Sequence, residues 1–177
     1  QLPDKYEFVA FVEQDKERRE MIEREGIRFN GTPGASYQDT SFVFQVWASA
    51  RRAAILPKGY LHYRVDNANS SVKSSSKVFA VCDEYELSRE FLAKDPEKQR
   101  AFGKIVNLLK LGTYRWNFNR LTDESRRAFA ERMREEYLRA REEGTLDRDM
   151  FAPADWEMLN LMMDDFDAFM ARFELGM

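Results

Sequence analysis

The chain has 177 residues, 44% of them hydrophobic and 14% aromatic, which suits one domain or one small domain with an appendage. Its 28 lysines and arginines are outnumbered by 31 aspartates and glutamates, and this net charge of -3 argues against nonspecific nucleic-acid binding, which needs a surplus of cations. The single cysteine, Cys82, excludes an intramolecular disulfide and favours a reducing, cytoplasmic location. Since the chain also has only one histidine, the usual Cys/His zinc site is excluded.

The start of the chain is predicted to hold one apolar run and two helices. Residues 6–12 are aromatic and β-branched, a pattern that fits either a buried strand or the start of a helix. Residues 13–25 have strong helix propensity, and the Gly26 that follows them is typical of a helix C-terminus. A second helix is predicted from about residue 39 to residue 50. Its predicted buried stripe consists of Phe42, Val43, Val46, Trp47 and Ala50.

A β-hairpin and a polar loop are predicted next. Residues 53–56 and 60–65 have the composition of short strands, the second with period-2 alternation, and a Pro-Lys-Gly turn separates them. We therefore expect the two runs to pair as a hairpin. Residues 66–76 are rich in asparagine and serine and are predicted to form a loop.

From residue 77 to the end only helices are predicted. Pro96 and Pro153 suit first helical positions, and Gly144 suits the position just after a helix end. The predicted helices are residues 77–94, 96–119, 123–143 and one last helix from 153 to about 173. The expected fold class is therefore mainly α with a small β-hairpin (α+β), divided into residues 1–75 and a helical region 76–177.

Asp39 is the first candidate functional residue, because it stands where a turn-rich loop meets a helix. One interpretation is a helix N-cap, whose carboxylate accepts backbone N–H groups and contributes about 1 kcal/mol. The other is a general base at the mouth of a loop. The two roles compete, since a carboxylate engaged by N–H groups has a lowered pKa and is a poorer base.

A second group of polar candidates lies on the predicted strand 60–65 and in the loop after it. His62 and Arg64 share one strand face, which is either exposed to solvent or, because arginine binds phosphate bidentately, an anion clamp. His62 is also a weak candidate for a metal ligand. The loop contributes Asp66, Asn67, Ser70 and Ser71. These residue types favour turns but also bind hydroxyls and phosphates, so the loop is either a plain surface loop or a substrate loop.

These segments, taken in order, resemble bacterial family-2 glycosyltransferases. Residues 32–42, Thr-Pro-Gly-Ala-Ser-Tyr-Gln-Asp-Thr-Ser-Phe, resemble the acidic motif near the end of the catalytic domain. Residues 60–72, Tyr-Leu-His-Tyr-Arg-Val-Asp-Asn-Ala-Asn-Ser-Ser-Val, resemble the tyrosine-rich strand, arginine and Asn/Ser loop that follow it. Residues 77–79 and 82–85 continue the likeness, which spans roughly residues 26–85.

The resemblance implies the type A glycosyltransferase fold, an α/β sheet domain of which this chain would be a C-terminal remnant. It implies hexosyltransferase-type transfer from a nucleotide-sugar donor to a glycan acceptor hydroxyl, in cell-surface polysaccharide synthesis. It makes Asp39 the catalytic base, and it places a substrate-binding set beside the donor diphosphate or the acceptor. That set is Gln38, Arg64, Asp66, Asn67, Ser70 and Ser71. A divalent cation, Mg²⁺ or Mn²⁺, is expected in such enzymes on an Asp-x-Asp motif.

No Asp-x-Asp precedes Asp39, so the chain is expected to be cut from a longer enzyme, without the donor-binding half, and to be inactive and cation-free by itself. No apolar run approaches the roughly 18 residues of a membrane helix, so no transmembrane segment is predicted. The expected location is cytoplasmic, and the glycosyltransferase resemblance adds the inner face of the membrane as a place of action. The alternative function is a non-catalytic helical assembly module. Such a module would form homo-oligomers through exposed apolar helix faces.

Overall fold

A computed structural model describes residues 10–11, 15–31, 36–55 and 77–174. Contacts within the chain divide it into two compact units, Gln1–Lys73 and Ser74–Met177. The division falls at the end of the Asn/Ser-rich segment, where few apolar residues are available to join the two sides. Each unit is therefore described by itself.

The first unit contains two helices and a short β pairing. Helices α1 and α2 are Asp15–Arg24 and Gln38–Ser49, and strands β1 and β2 are Ala10–Phe11 and Ala54–Ile55. Gly26 follows α1 with a φ of 66°, the left-handed conformation that ends helices and that glycine adopts without a steric cost. Met21 and Ile27 are buried at this end of α1.

The buried side of α2 differs from the predicted one. The buried residues are Ser41, Phe44, Gln45 and Ala48. Val43 and Trp47, which were predicted to be buried, are 48% and 42% exposed. Large apolar residues surround this helix between positions 42 and 47, so their periodicity alone did not identify the side that faces the core.

The predicted fold class was wrong in its β part. Ala54–Ile55 pairs antiparallel with Ala10–Phe11, at a distance in sequence, and the predicted hairpin partner 60–65 lies outside the described residues. This two-residue bridge is the only β pairing in the described ranges, where all longer elements are helices. In the described residues the fold is therefore helical, which corrects the predicted α+β class and the predicted remnant of an α/β sheet domain. The β pairing is a minor part of the structure, because alanine is a weak strand former and strands of two residues make few ladder hydrogen bonds.

The second unit is a bundle of helices. Its elements are α3 (Ala80–Ala93), α4 (Pro96–Arg120), α5 (Asp123–Glu142), a 3₁₀ turn (Arg148–Met150), α6 (Pro153–Asp164) and α7 (Phe166–Glu174). Asp95 caps α4, because its Oδ1 accepts from the backbone N–H groups of Glu97 and Lys98 at 2.9 and 3.2 Å. Gly144, with a φ of 68°, follows the end of α5.

The single last helix that the sequence predicted is broken into α6 and α7 at Asp165. Its backbone leaves the helical region, and its Oδ1 accepts from the N–H of Ala168 at 3.0 Å. A carboxylate that binds backbone N–H groups starts a new helix at the place where the apolar pattern alone predicts continuity.

Aromatic side chains fill the centre of the bundle. Tyr114 and Phe129 are fully buried, with ring centroids 5.3 Å apart, and Tyr85 meets Tyr114 edge to face at 5.5 Å. Leu159, Met162 and Met163 of α6 are also buried. Among the described helices none combines the length and the apolar composition needed to cross a bilayer.

Candidate functional sites

Asp39 lies in the first turn of α2, and its side chain is exposed. The N-cap position belongs to Tyr37, whose side chain makes no capping hydrogen bond. The capping interpretation of Asp39 is therefore not realised. Its carboxylate has no hydrogen-bond or ion-pair partner among the described residues, so both oxygens remain available to a ligand.

Tyr37 introduces α2 with an unusual backbone. Its φ of 60° and ψ of 7° place it in the left-handed region, where it is the one non-glycine residue with positive φ in the described ranges. Such a conformation costs a bulky residue roughly 1 kcal/mol or more, and it concentrates at functional turns. Tyr37 immediately precedes the first turn of α2, which contains Asp39.

The other predicted site residues are placed less completely. Gln38 begins α2 next to Asp39 and is half-buried. The remaining six lie outside the described residues: His62, Arg64, Asp66, Asn67, Ser70 and Ser71. Their proximity to Asp39 therefore stays a prediction.

The expected divalent cation has no ligand set in the described part of the chain. No group of three or more His, Cys, Asp or Glu side chains lies there in a metal-binding arrangement. A carboxylate-rich set is what Mg²⁺ or Mn²⁺ requires. The cation is expected in a longer enzyme, on an Asp-x-Asp motif outside this sequence, so that expectation stays a prediction.

A buried charged cluster in the second unit, centred on Glu136, was not predicted from the sequence. Glu136 is 5% exposed, and its Oε2 accepts from Tyr114 Oη at 2.7 Å and lies 3.5 Å from Lys110 Nζ. Its Oε1 accepts from Arg132 Nε at 2.8 Å. This carboxylate thus joins α5 to α4 through Tyr114 and Lys110, while Arg132 binds it from within α5.

Lys110 is the most constrained member of the Glu136 cluster. It is 5% exposed, and its ammonium lies 4.5 Å from the centre of the Tyr137 ring. Burial lowers the pKa of Lys110, although the neighbouring Glu136 carboxylate acts in the opposite direction. A primary amine with a lowered pKa is the chemistry of reactive lysines, so access to it decides whether it is a site.

Access to Lys110 is limited to a small cavity. The cavity measures about 30 Å³ and is lined by Lys110, Glu136, Asn107, Gln99 and Thr145, among others. That volume holds about two water molecules. The buried Gln99 Oε1 has no hydrogen-bond partner in the described structure and suits such a water. The cavity is too small for a sugar or a nucleotide, so the cluster is structural.

Cys82 packs on the same cluster. It is 1% exposed, and burial, with a smaller contribution from Glu136, raises its pKa from 9.0 to about 12. The thiol therefore stays protonated at neutral pH and is a poor nucleophile. This agrees with its interpretation as a small core residue.

Sequence inspection missed the Glu136 cluster because its members lie on two separate helices. The available signal was Lys110 itself, which interrupts the apolar run Leu108, Leu109 and Leu111. A lysine in such a run needs a buried carboxylate, but α5 alone offers many glutamates, and only the packing selects Glu136.

Comparison with protein-family models, with curated proteins and with solved structures found no match to this chain. The glycosyltransferase resemblance therefore stays a prediction. It rests on the sequence motifs between residues 26 and 85.

Proposed function

We propose that this chain is the C-terminal, acceptor-side part of a glycosyltransferase and that Asp39 is its catalytic base. The observation that carries the proposal is the exposed, unpartnered carboxylate of Asp39 at the start of α2. A base must reach the proton that it removes and must not be occupied by backbone N–H groups. Asp39 meets both conditions.

In the proposed reaction an Asp39 oxygen takes the proton of the acceptor hydroxyl. The hydroxyl oxygen bonds to the anomeric carbon of the donor sugar, and the bond from that carbon to the nucleoside diphosphate breaks, with inversion. The diphosphate leaves with its electron pair. Donor binding, with the Asp-x-Asp motif and its cation, is proposed to reside outside this sequence, because no such motif precedes Asp39.

The first test uses the chain alone with a panel of nucleotide sugars. We expect no release of nucleoside diphosphate, and turnover by this chain would overturn the proposed division of labour. The second test uses the natural gene product that contains this sequence. There, Asp39→Asn should lower transfer by about 10²–10⁴-fold while nucleotide-sugar affinity stays unchanged.

A matched control for Asp39 is Glu97, an exposed acid in the first turn of α4. Glu97→Gln removes one surface carboxylate from an equivalent position and should leave transfer within about twofold of the parent. Full transfer by Asp39→Asn would show that Asp39 is not the base. Equal losses in both variants would indicate a nonspecific charge effect and would also contradict the proposal.

The second candidate function, a helical assembly module, is favoured by one surface of α4. Leu109 and Trp116 are 48% and 53% exposed and lie seven residues apart on one helix face. If two copies of the chain meet there, light scattering will show a dimer that Leu109→Glu with Trp116→Glu dissociates. A monomeric parent chain at high concentration would exclude this candidate.

A further inference from the structure

The second unit contains a cleft of about 620 Å³ that is separate from Asp39 and from the Glu136 cluster. It opens between the C-terminal half of α4, the start of α5 and helices α6 and α7. Its volume lies in the range of small-molecule sites, and the junction of several helices is a usual place for one.

The floor of the cleft is apolar. Phe118 and Phe169 are 3% and 2% exposed, and their ring centroids are 6.3 Å apart. Leu161 and Met158 of α6 extend the apolar surface, and methionine adapts its shape to a bound apolar group. An alkyl or alicyclic group would be removed from water there, which favours binding by about 25 cal/mol per Å².

Two of the three arginines in the cleft are already committed. Arg115 pairs with Asp155 and also lies 3.9 Å from the Met158 sulfur. Arg126 donates to the carbonyl oxygens of Phe118 and Leu121 at 3.3 and 3.0 Å. These contacts fix both guanidinium groups as walls of the cleft and leave them little capacity for a further anion.

Arg172 of α7 is different. It is exposed on the rim and has no hydrogen-bond or ion-pair partner among the described residues. Its planar guanidinium suits a carboxylate or phosphate. The lining also holds the carboxylates of Asp155 and Glu157. Asp155 is paired with Arg115, and Asp123 pairs with Arg126 at 2.7 Å, so Arg172 is the lining arginine whose guanidinium is left for an anionic head group.

We propose that this cleft binds a small amphiphile with one anionic head group, a carboxylate or a phosphate monoester, on Arg172 and an apolar body on Phe118, Leu161 and Phe169. The inference does not rest on Asp39 or on the proposed transfer reaction. The shared ligand chemistry covers both fatty acids and alkyl phosphates, and the experiment distinguishes them.

The test titrates the full chain with dodecanoate, dodecyl phosphate, dodecanol and dodecyltrimethylammonium below their micelle concentrations, by calorimetry. We expect saturable 1:1 binding of one or both anions, at least tenfold tighter than binding of the alcohol or the cation. The stronger of the two anions identifies the head group. Equal affinity for all four compounds, or no binding of either anion, would overturn the proposal.

Three variants locate the site. Arg172→Glu should weaken anion binding about tenfold or more, since a charge-assisted hydrogen bond contributes on that scale. Leu161→Trp should abolish binding by filling the cleft. Arg100→Glu is the matched control, because Arg100 is an exposed arginine of α4 that does not line the cleft. Equal weakening by the variants at 172 and 100 would mean nonspecific attraction and would contradict the assignment, and circular dichroism checks that each variant folds.

Discussion

Two carboxylates in the two units stand in opposite environments. Asp39 is exposed in the first turn of α2 and has no described partner, whereas Glu136 is buried in α5 and accepts hydrogen bonds from two side chains beside a third, Lys110. The difference separates two uses of the same functional group. A carboxylate with all its oxygens engaged stabilises packing, and one with none engaged is free for chemistry.

Asp95 stands between the two extremes and turns the comparison into a series. Its Oδ1 accepts from two backbone N–H groups at the start of α4, while its side chain stays 41% exposed. If engagement decides the structural role, then the loss of unfolding free energy should follow the order Glu136, Asp95, Asp39. Removal of each carboxylate tests one member of the series.

Glu136→Leu should have the largest effect. It leaves the Lys110 ammonium and the Tyr114 hydroxyl buried without their acceptor, and an orphaned buried charge costs about 3–5 kcal/mol. Urea denaturation at pH 7, followed by circular dichroism, measures the loss. A change below about 1 kcal/mol would show that the cluster is replaceable.

Two variants control for Glu136→Leu. Glu131→Leu removes an exposed glutamate of the same helix whose ion pair with Arg127 is screened by solvent, so it should cost far less than Glu136→Leu. Lys110→Met removes the buried cation but leaves Glu136 with Tyr114 and Arg132, so it should cost much less than Glu136→Leu. Equal costs for Lys110→Met and Glu136→Leu would argue that the pair, not the carboxylate, organises the cluster.

Alkaline pH gives the second prediction. Burial raises the pKa of Cys82 from 9.0 to about 12, so above pH 9 the folded chain holds a proton that the unfolded chain has lost. Its contribution to stability is complete below pH 9 and is lost as pH rises towards 12, by at most about 1.4 kcal/mol per pH unit. The free energy of unfolding at pH 8, 9 and 10 measures the slope.

Cys82→Ala removes the titrating thiol, so its stability should fall less steeply than that of the parent chain between pH 9 and 10. Burial also raises the pKa values of Tyr85, Tyr114 and Tyr137, and these phenols add a further decline from about pH 10 upwards in both proteins. Identical slopes below pH 10 would mean that the thiol titrates normally and is not buried in solution.

Asp95→Ala is the third prediction and should cost about 1 kcal/mol, because two backbone N–H groups of α4 lose their acceptor. Thr122→Ala is its matched control. Thr122 holds the N-cap position of α5, but its side chain makes no capping hydrogen bond, so its replacement should cost under about 0.5 kcal/mol. Equal losses in thermal unfolding would contradict the assignment of the cap to Asp95.

The helices and the β elements differ in how far the sequence could predict them. Pro96 with Asp95, and Gly26 and Gly144, mark helix ends through local chemistry, and the structure has helix ends at those positions. The predicted pairing of Ala54–Ile55 was wrong because strand pairing is non-local, and this strand pairs with Ala10–Phe11. The local sequence pattern does not identify which strand pairs with which.

The same limit applies to the candidate sites. Asp39 could be singled out because its motif is contiguous in sequence. That the N-cap residue is Tyr37, in a left-handed conformation, could not be predicted from the sequence pattern. The Glu136 cluster and the cleft beside Arg172 are built from residues far apart in the chain. Their residues become neighbours only through packing, so composition and periodicity could not assemble them.

The last and smallest effect concerns Asp39 itself. Asp39→Asn keeps the size of the side chain and removes only its charge, so the loss is limited to a favourable interaction with the α2 dipole, under about 0.5 kcal/mol at an exposed site. Urea denaturation of the chain tests this without any transfer assay. A loss above about 1.5 kcal/mol would mean that the carboxylate is engaged in structure, and the observation behind its proposed role as a base would disappear. A loss near zero, together with abolished transfer in the natural gene product, would assign the carboxylate to chemistry alone. It would then contribute to activity and not to the free energy of unfolding.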